Sequence, residues 1–191
     1  MLTCDNLVLV VTCKPGKEDI VELQLGDSIY PLDPNVKIVH TSFTGLLLVY
    51  SKIEPWKAFW LTMVNPIAGA SRIVPVEKCI ITTDLTTISR EFEKFISEKV
   101  AKRSLRCVNL EVFIRGNVFG DDVKKLLKDI LYSNGISLKY KAEYDLKVEI
   151  INSMVIFTLM PRRSDRISHR IRLMLSKLKN SSKAPSRRPS S

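Results

Sequence analysis

The alternation of apolar and polar residues over the first 75 positions predicts four strands and two helices. Short runs rich in Val, Ile and Leu predict strands at residues 7–12, 36–41, 46–50 and 72–76. Helices are expected after Pro15 and from Pro55, because proline in a first turn has no N–H to leave unpaired. The predicted order is therefore β-α-β-β-α-β.

The second of these helices carries a continuous apolar stripe. Its members follow one another at three- and four-residue steps and are Trp56, Phe59, Trp60, Met63, Val64 and Ile67. Such spacing is typical of a helix face that packs into a core. Aromatic side chains also stack on nucleobases, but the stripe favours packing, and we expect Trp60 to be fully buried.

The next region predicts a second unit of strands and helices. Asp84 stands where an N-cap would precede an amphipathic helix of about five turns. Alternating apolar residues at 108–115 predict a strand, and Asp121 is expected to cap a further helix. Two more strands, at 146–151 and 154–160, are separated by only two residues and therefore predict a tight hairpin.

Charge separates the end of the chain from the rest. The chain has 30 basic and 20 acidic residues, and residues 161–191 hold ten of the basic residues but only one acid, Asp165. Apolar residues from Ile167 to Leu178 recur at helical spacing, which predicts a basic amphipathic helix. The residues from Asn180 onward predict a disordered tail. This asymmetry suggests a polyanionic partner, with a merely solubilising tail as the alternative.

Residues that could carry catalysis or hold a metal are scarce. The four cysteines include no C-x-x-C pair, so we expect them to stay reduced and to form neither a disulfide nor a metal site. His40 and His169 lack a nearby nucleophile motif, and the seven glycines are scattered singly, which predicts no catalytic site and no cofactor. Apolar runs of at most five residues and the absence of a basic secretion signal predict a cytoplasmic protein without a membrane span.

Four short motifs follow one another along the first half of the chain. They are T-C-K-P-G-K-E at 12–18, T-G-L-L-L-V at 44–49, R-I-V-P-V-E at 72–77 and T-T-D-L at 82–85. In this order they resemble the amino-terminal ferredoxin-like domain and the start of the THUMP domain in stand-alone THUMP proteins, which are similar to the adaptor of tRNA cytidine acetylation. The resemblance covers about residues 7–160.

The resulting fold class is α+β. The resemblance implies a ferredoxin-like β-α-β-β-α-β domain at residues 1–75 and an α/β THUMP-like RNA-binding domain at residues 76–160. Residues 161–191 add the basic helix and the disordered tail that charge and spacing predict.

The resemblance also implies a tRNA-binding module whose two units together dock the acceptor end of tRNA. Many relatives carry a methyltransferase, thiouridine synthetase or deaminase domain in the same chain, and the residues after position 160 are too few for such a fold. We therefore expect no enzyme but an adaptor that presents tRNA to a separate modifying enzyme, such as an RNA acetyltransferase. The alternative is a protein-interaction subunit that uses its basic amphipathic carboxyl-terminal helix.

Candidate RNA contacts are basic residues, because RNA affinity comes largely from neutralised phosphates. Residues 76–160 hold 14 basic and 12 acidic residues, so a local patch must bind. The positions that match the family pattern are Lys99, Lys102, Arg103, Arg106, Arg115, Lys139 and Lys141. Charge alone adds Arg162, Arg163, Arg166, Arg170 and Arg172. The four positions from 99 to 106 also lie near a helix carboxyl terminus, where cations stabilise the helix by themselves, and that interpretation stays open.

Overall fold

Four antiparallel strands and two helices form the first unit of this computed structural model, which describes residues 2–168. The elements are β1 (Leu7–Cys13), α1 (Glu18–Ile29), β2 (Lys37–His40), β3 (Leu46–Tyr50), α2 (Pro55–Val64) and β4 (Ala70–Pro75). The sheet order is β2-β3-β1-β4, and every adjacent pair is antiparallel. This order of elements is the one that the apolar pattern predicts.

Helix α2 is rotated relative to the prediction from its apolar stripe. Glu54 caps the helix by accepting from the Lys57 N–H at 2.8 Å. The buried positions are Ala58, Phe59 and Thr62, whereas Trp60 is 58% exposed. The expectation of a buried Trp60 is wrong, because small side chains let the helix approach the sheet along the line of Ala58 and Thr62.

The second unit is a mixed five-stranded sheet with two helices on one face. Its elements are β5 (Lys78–Ile81), α3 (Leu85–Phe95), β6 (Cys107–Arg115), α4 (Asp122–Ser133), β7 (Ser137–Leu138), β8 (Tyr144–Ile151) and β9 (Met154–Pro161). The sheet order is β5-β9-β8-β6-β7, with β6 parallel to β7 and β8. The strands β5 and β7 are not predicted by the sequence pattern.

The ends of helices α3 and α4 are set by hydrogen bonds of nearby side chains and backbone groups. Asp84 accepts from the Thr86 and Thr87 N–H groups at 3.1 and 3.0 Å, and the threonine hydroxyls with these amides lower the pKa of Asp84 to about 2. Helix α3 then continues through a π-helical segment, Ile96–Val100, and a 3₁₀ turn, Ala101–Arg103. Asp121 occupies the N-cap position of α4, but its carboxylate accepts from Lys124 Nζ rather than from a backbone N–H, which corrects the predicted cap.

The two units pack against each other through the second face of the larger sheet. Phe92, Phe95 and Phe157 fill the core between that sheet and its helices. The opposite face of β8 and β9 contributes Ile151, Met154, Ile156 and Met160 to the core of the first unit. The domain limits at residues 75 and 160 therefore stay a prediction, since the first core draws on both sides of them.

A disulfide joins Cys4 to Cys79, with the Cα atoms 5.5 Å apart. The prediction that all cysteines are reduced is wrong for this pair, because folding brings the segment before β1 onto β5. The two cysteines lie 75 residues apart in the sequence, so spacing could not reveal the pairing. Cys13 and Cys107 are free thiols.

The segment after β9 departs from the predicted helix. Residues 162–165 form a turn, and Arg166 forms an isolated antiparallel bridge with Arg72 of β4. Arg163 and Arg166 are therefore not helical as predicted, and helical structure begins at Ile167, the first apolar residue of the predicted helix. The rest of the predicted helix and the tail, including Arg170 and Arg172, lie outside the described residues. Within residues 2–168, no helix has the length and apolar composition to cross a membrane.

Candidate nucleic-acid interface

Three charged side chains of β8 lie buried between the two units. Asp145, Lys147 and Glu149 alternate along the strand, so they share the face that meets the first unit. Lys147 Nζ lies 2.6 Å from Glu111 Oε2, and Glu149 pairs at 2.7 Å with both Arg72 and Arg115. Paired in this way, buried charges avoid the large cost of isolated ones.

Asp165 completes this buried cluster from the carboxyl-terminal segment. Its side chain is fully buried, and Oδ2 lies 2.8 Å from Arg72 Nε and 3.1 Å from Lys147 Nζ. Burial acts to raise the pKa of Asp165, but Lys147 and Arg72 outweigh it and hold the pKa below its ordinary value. Its carbonyl oxygen accepts from the Ile73 N–H at 2.9 Å. Asp165 therefore ties residues 162–166 to both units.

Three of the predicted RNA contacts, Arg115, Lys99 and Arg166, already form ion pairs within the protein. Arg115 donates to Glu149 and is largely buried. Lys99 donates to Glu77 at 3.1 Å, and the Glu77 carboxylate also accepts from the Leu159 N–H. Arg166 is 47% exposed and lies 3.6 Å from Glu111. Arg115 and Lys99 are thus already paired with carboxylates of the same unit, which gives each of them a structural role.

The topology gathers the remaining candidates at one end of the larger sheet. Strands β6 and β8 are parallel and β9 runs antiparallel to them, so the starts of β6 and β8 meet the end of β9. Strand β7 lies beside the start of β6. We call the following residues the basic end: Lys102, Arg103, Arg106, Lys139, Lys141, Arg162 and Arg163.

The cationic groups of the basic end are not paired with any carboxylate that the structure describes. Within residues 2–168, none of the seven forms a salt bridge, although Glu143 is exposed in the same region. Arg103 instead lies over the Tyr144 ring at 5.6 Å, and Arg162 lies over the Tyr140 ring at 5.5 Å. The basic end is therefore free to neutralise phosphates.

Groups that could hold a metal or act as a nucleophile lie elsewhere. Among the described residues, Asp19, Glu22 and His40 bring their ligand atoms within 4.8 Å of one another. His40 Nε2 already pairs with Glu22 Oε2 at 2.6 Å, on an exposed surface of the first unit. Burial, with the Glu18 carboxylate, raises the pKa of Cys13 and so favours the protonated thiol.

Comparison with known proteins yields structural likeness without sequence matches. No protein-family model matches the sequence, and no curated protein matches it. The fold is similar to that of PH1313 from Pyrococcus horikoshii Ot3, with a TM-score of 0.61 and 14% identity over 81% of this chain and 55% of that chain. TrmN from Thermus thermophilus has a TM-score of 0.60 at 14% identity, over 94% of this chain and 55% of that chain.

A third solved structure is a complex of a 4-thiouridine synthetase with RNA and bound ATP. It has a TM-score of 0.52 at 13% identity, over 83% of this chain and 44% of that chain. The present chain thus spans about half the length of the proteins that it matches. At identities this low, structural similarity is evidence about the fold alone. The similarity supports the THUMP-like fold that the sequence resemblance predicts.

Proposed function

We propose that this chain binds tRNA through its basic end and presents it to a separate modifying enzyme. The observation that carries the proposal is the collection, at one end of a sheet, of seven cations that form no salt bridge within residues 2–168. A region that is nearly neutral by composition thereby offers a concentrated positive surface. Phosphates would supply the missing counter-charges.

The structural neighbours support RNA as the polyanion that this surface binds. Among them are TrmN and a 4-thiouridine synthetase solved with RNA. We infer that the first unit is a ferredoxin-like domain that acts with the THUMP-like unit on the acceptor end of tRNA. Interlocked by the Asp165 cluster, the two units would offer a single rigid surface to a helical stem.

The proposed role is that of a cytoplasmic adaptor without catalytic activity of its own. Its partner would be a tRNA-modifying enzyme such as an RNA acetyltransferase. The buried carboxylates support this assignment, because Asp165 and Glu149 are bonded to basic side chains and are not poised for proton transfer. Co-purification of the full chain from its native cell, with identification of the bound RNA and protein, would name the partner.

Binding of tRNA to the full chain, measured by fluorescence anisotropy over a salt series, tests the proposal. If about four phosphates are neutralised, affinity should fall about 100-fold between about 50 and about 200 mM salt. Removing the 3′ single strand of the tRNA should weaken binding. Affinity that is indifferent to both salt and trimming would contradict the proposal.

A truncation after Ser168 separates this role from that of a tail-driven interaction subunit. The adaptor proposal expects the shortened chain to keep most of its tRNA affinity, because the basic end lies within residues 102–163. A module that depends on a basic carboxyl-terminal helix would lose its partner entirely. The full chain measured in the same buffer is the control.

A further inference from the structure

Tyr140 projects into solvent at the basic end. Its side chain is 71% exposed, although burial of an aromatic ring is ordinarily favourable. The ring is carried by a tight turn in which the Ala142 N–H donates to the Lys139 carbonyl at 3.0 Å, while Ala142 itself is buried. The turn is therefore anchored, and the ring is held outward by the fold.

Two arginines flank this ring. The Arg162 guanidinium lies 5.5 Å from the ring centroid, and an Arg163 guanidinium nitrogen donates to the Tyr140 hydroxyl at 3.4 Å. The backbone of Arg163 is in the left-handed region at φ 58°, a conformation that non-glycine residues seldom adopt. The buried Asp145 carboxylate holds it there by accepting the Arg163 N–H at 2.8 Å. Contacts within the protein thus position the ring and the two arginines without a ligand.

We propose that Tyr140 is a stacking platform for an unpaired nucleobase of RNA, with Arg162 and Arg163 placed for the adjoining phosphates. The inference deepens the proposed function and rests on it. An aromatic ring beside two cations favours a ligand that combines a flat π-face with negative charge, and it disfavours a cationic ligand. Within a helical stem both faces of a base are covered by stacked neighbours, so the base must come from a single-stranded part of the RNA.

The test uses the full chain and a hairpin RNA with a short single-stranded extension that carries 2-aminopurine. Stacking on Tyr140 should quench the 2-aminopurine fluorescence. Tyr140→Ala should abolish that quenching and weaken binding roughly 5- to 100-fold. Tyr140→Phe, which keeps the ring, should bind within about twofold of the wild type. Tyr132→Ala is the matched control, because Tyr132 is 58% exposed on α4.

The salt dependence separates stacking from a merely structural role. Tyr140→Ala should leave the slope of affinity against salt unchanged, because loss of a ring alters no phosphate contact. Full binding with unchanged quenching in Tyr140→Ala would overturn the stacking inference while leaving the proposed function intact. Failure of the wild-type chain to bind RNA would overturn both. A preference of the wild type for an acidic polypeptide over the RNA would also reject the platform.

Discussion

The buried cluster between the two units and the basic end of the larger sheet use the same residue types in opposite ways. Arg72 and Arg115 lie in the interface, each within 2.7 Å of a Glu149 oxygen. Arg162 and Lys139, by contrast, have no carboxylate partner within residues 2–168. The number of basic residues in a region therefore does not locate a binding surface, because those that pair with carboxylates inside the fold are not available to a ligand.

The buried cluster also positions the basic end. Asp165 binds Arg72 of the first unit and Lys147 of the second, and the turn before it carries Arg162 and Arg163. Breaking the cluster should consequently affect stability first, whereas changes at the basic end should affect binding alone.

The largest effect is expected from Asp165→Ala. Removing this carboxylate leaves Arg72 and Lys147 buried with one partner fewer, which should lower the free energy of unfolding by about 3–5 kcal/mol. Chemical denaturation measures the change. Arg106→Ala at the basic end is the control and should stay within about 0.5 kcal/mol of the wild type. Equal destabilisation by both variants would refute the contrast between the two regions.

Loss of the Cys4–Cys79 disulfide should have the next largest effect. The bond closes a loop of 75 residues and ties the segment before β1 to β5. Cys4→Ser should therefore lower the free energy of unfolding by about 2–4 kcal/mol under oxidising conditions. The wild type should lose the same amount on addition of a reductant, and the variant should be insensitive to it. A reductant effect that persists in Cys4→Ser would contradict the assignment.

The double variant Lys139→Ala, Lys141→Ala should lose RNA affinity without losing stability. Two exposed cations disappear from the basic end, so we expect binding about 10-fold weaker and a salt slope reduced by about 2. Lys124→Ala, Lys125→Ala on α4 gives the charge-matched control. Anisotropy titrations over a salt series provide both quantities, and an equal loss in the two double variants would argue against a localised patch.

The smallest effect is expected in the pH dependence of stability under acidic conditions. Because Lys147 and Arg72 hold the pKa of Asp165 below its unfolded value of about 3.9, its ionised form stabilises the fold above that pH. The contribution is lost as pH falls through the lowered pKa. The stability difference between wild type and Asp165→Asn should hence be constant above about pH 5 and narrow below about pH 4. Urea unfolding at a series of pH values measures it, and a gap that widens in acid would reverse the assigned sign.

Several elements follow from sequence patterns because they depend on short-range chemistry. The strand pair β8 and β9 joins through Asn152 and Ser153, as predicted, with Asn152 at φ 53°. Strand β7 could not be predicted, because it has only two residues and is a strand only through its pairing with β6. The exposure of Trp60 could not be predicted either. Periodicity locates an apolar stripe on a helix, but it does not show which edge of that stripe packs against the sheet.

The candidate site is only partly visible in the sequence. Lys139 and Arg162 are identifiable from their charge, whereas nothing in the local pattern distinguishes Tyr140 from a core tyrosine. Asp165 looks like a lone acid in a basic segment and is instead fully buried. A single acid in such a segment, beside a strand end, is a signal that could have suggested an anchor.

The sequence alone determined the order of most strands and helices, the excess of basic residues and their bias toward the carboxyl end, since periodicity and composition are properties of neighbouring residues. Tertiary structure decided which cations are available to a ligand. The reason is that the ion pairs join residues far apart in the sequence. Arg72 donates to Glu149, 77 positions away, and to Asp165, 93 positions away. Partners that distant are set by how the sheets pack, and within residues 2–168 this packing pairs none of the cations of the basic end with a carboxylate.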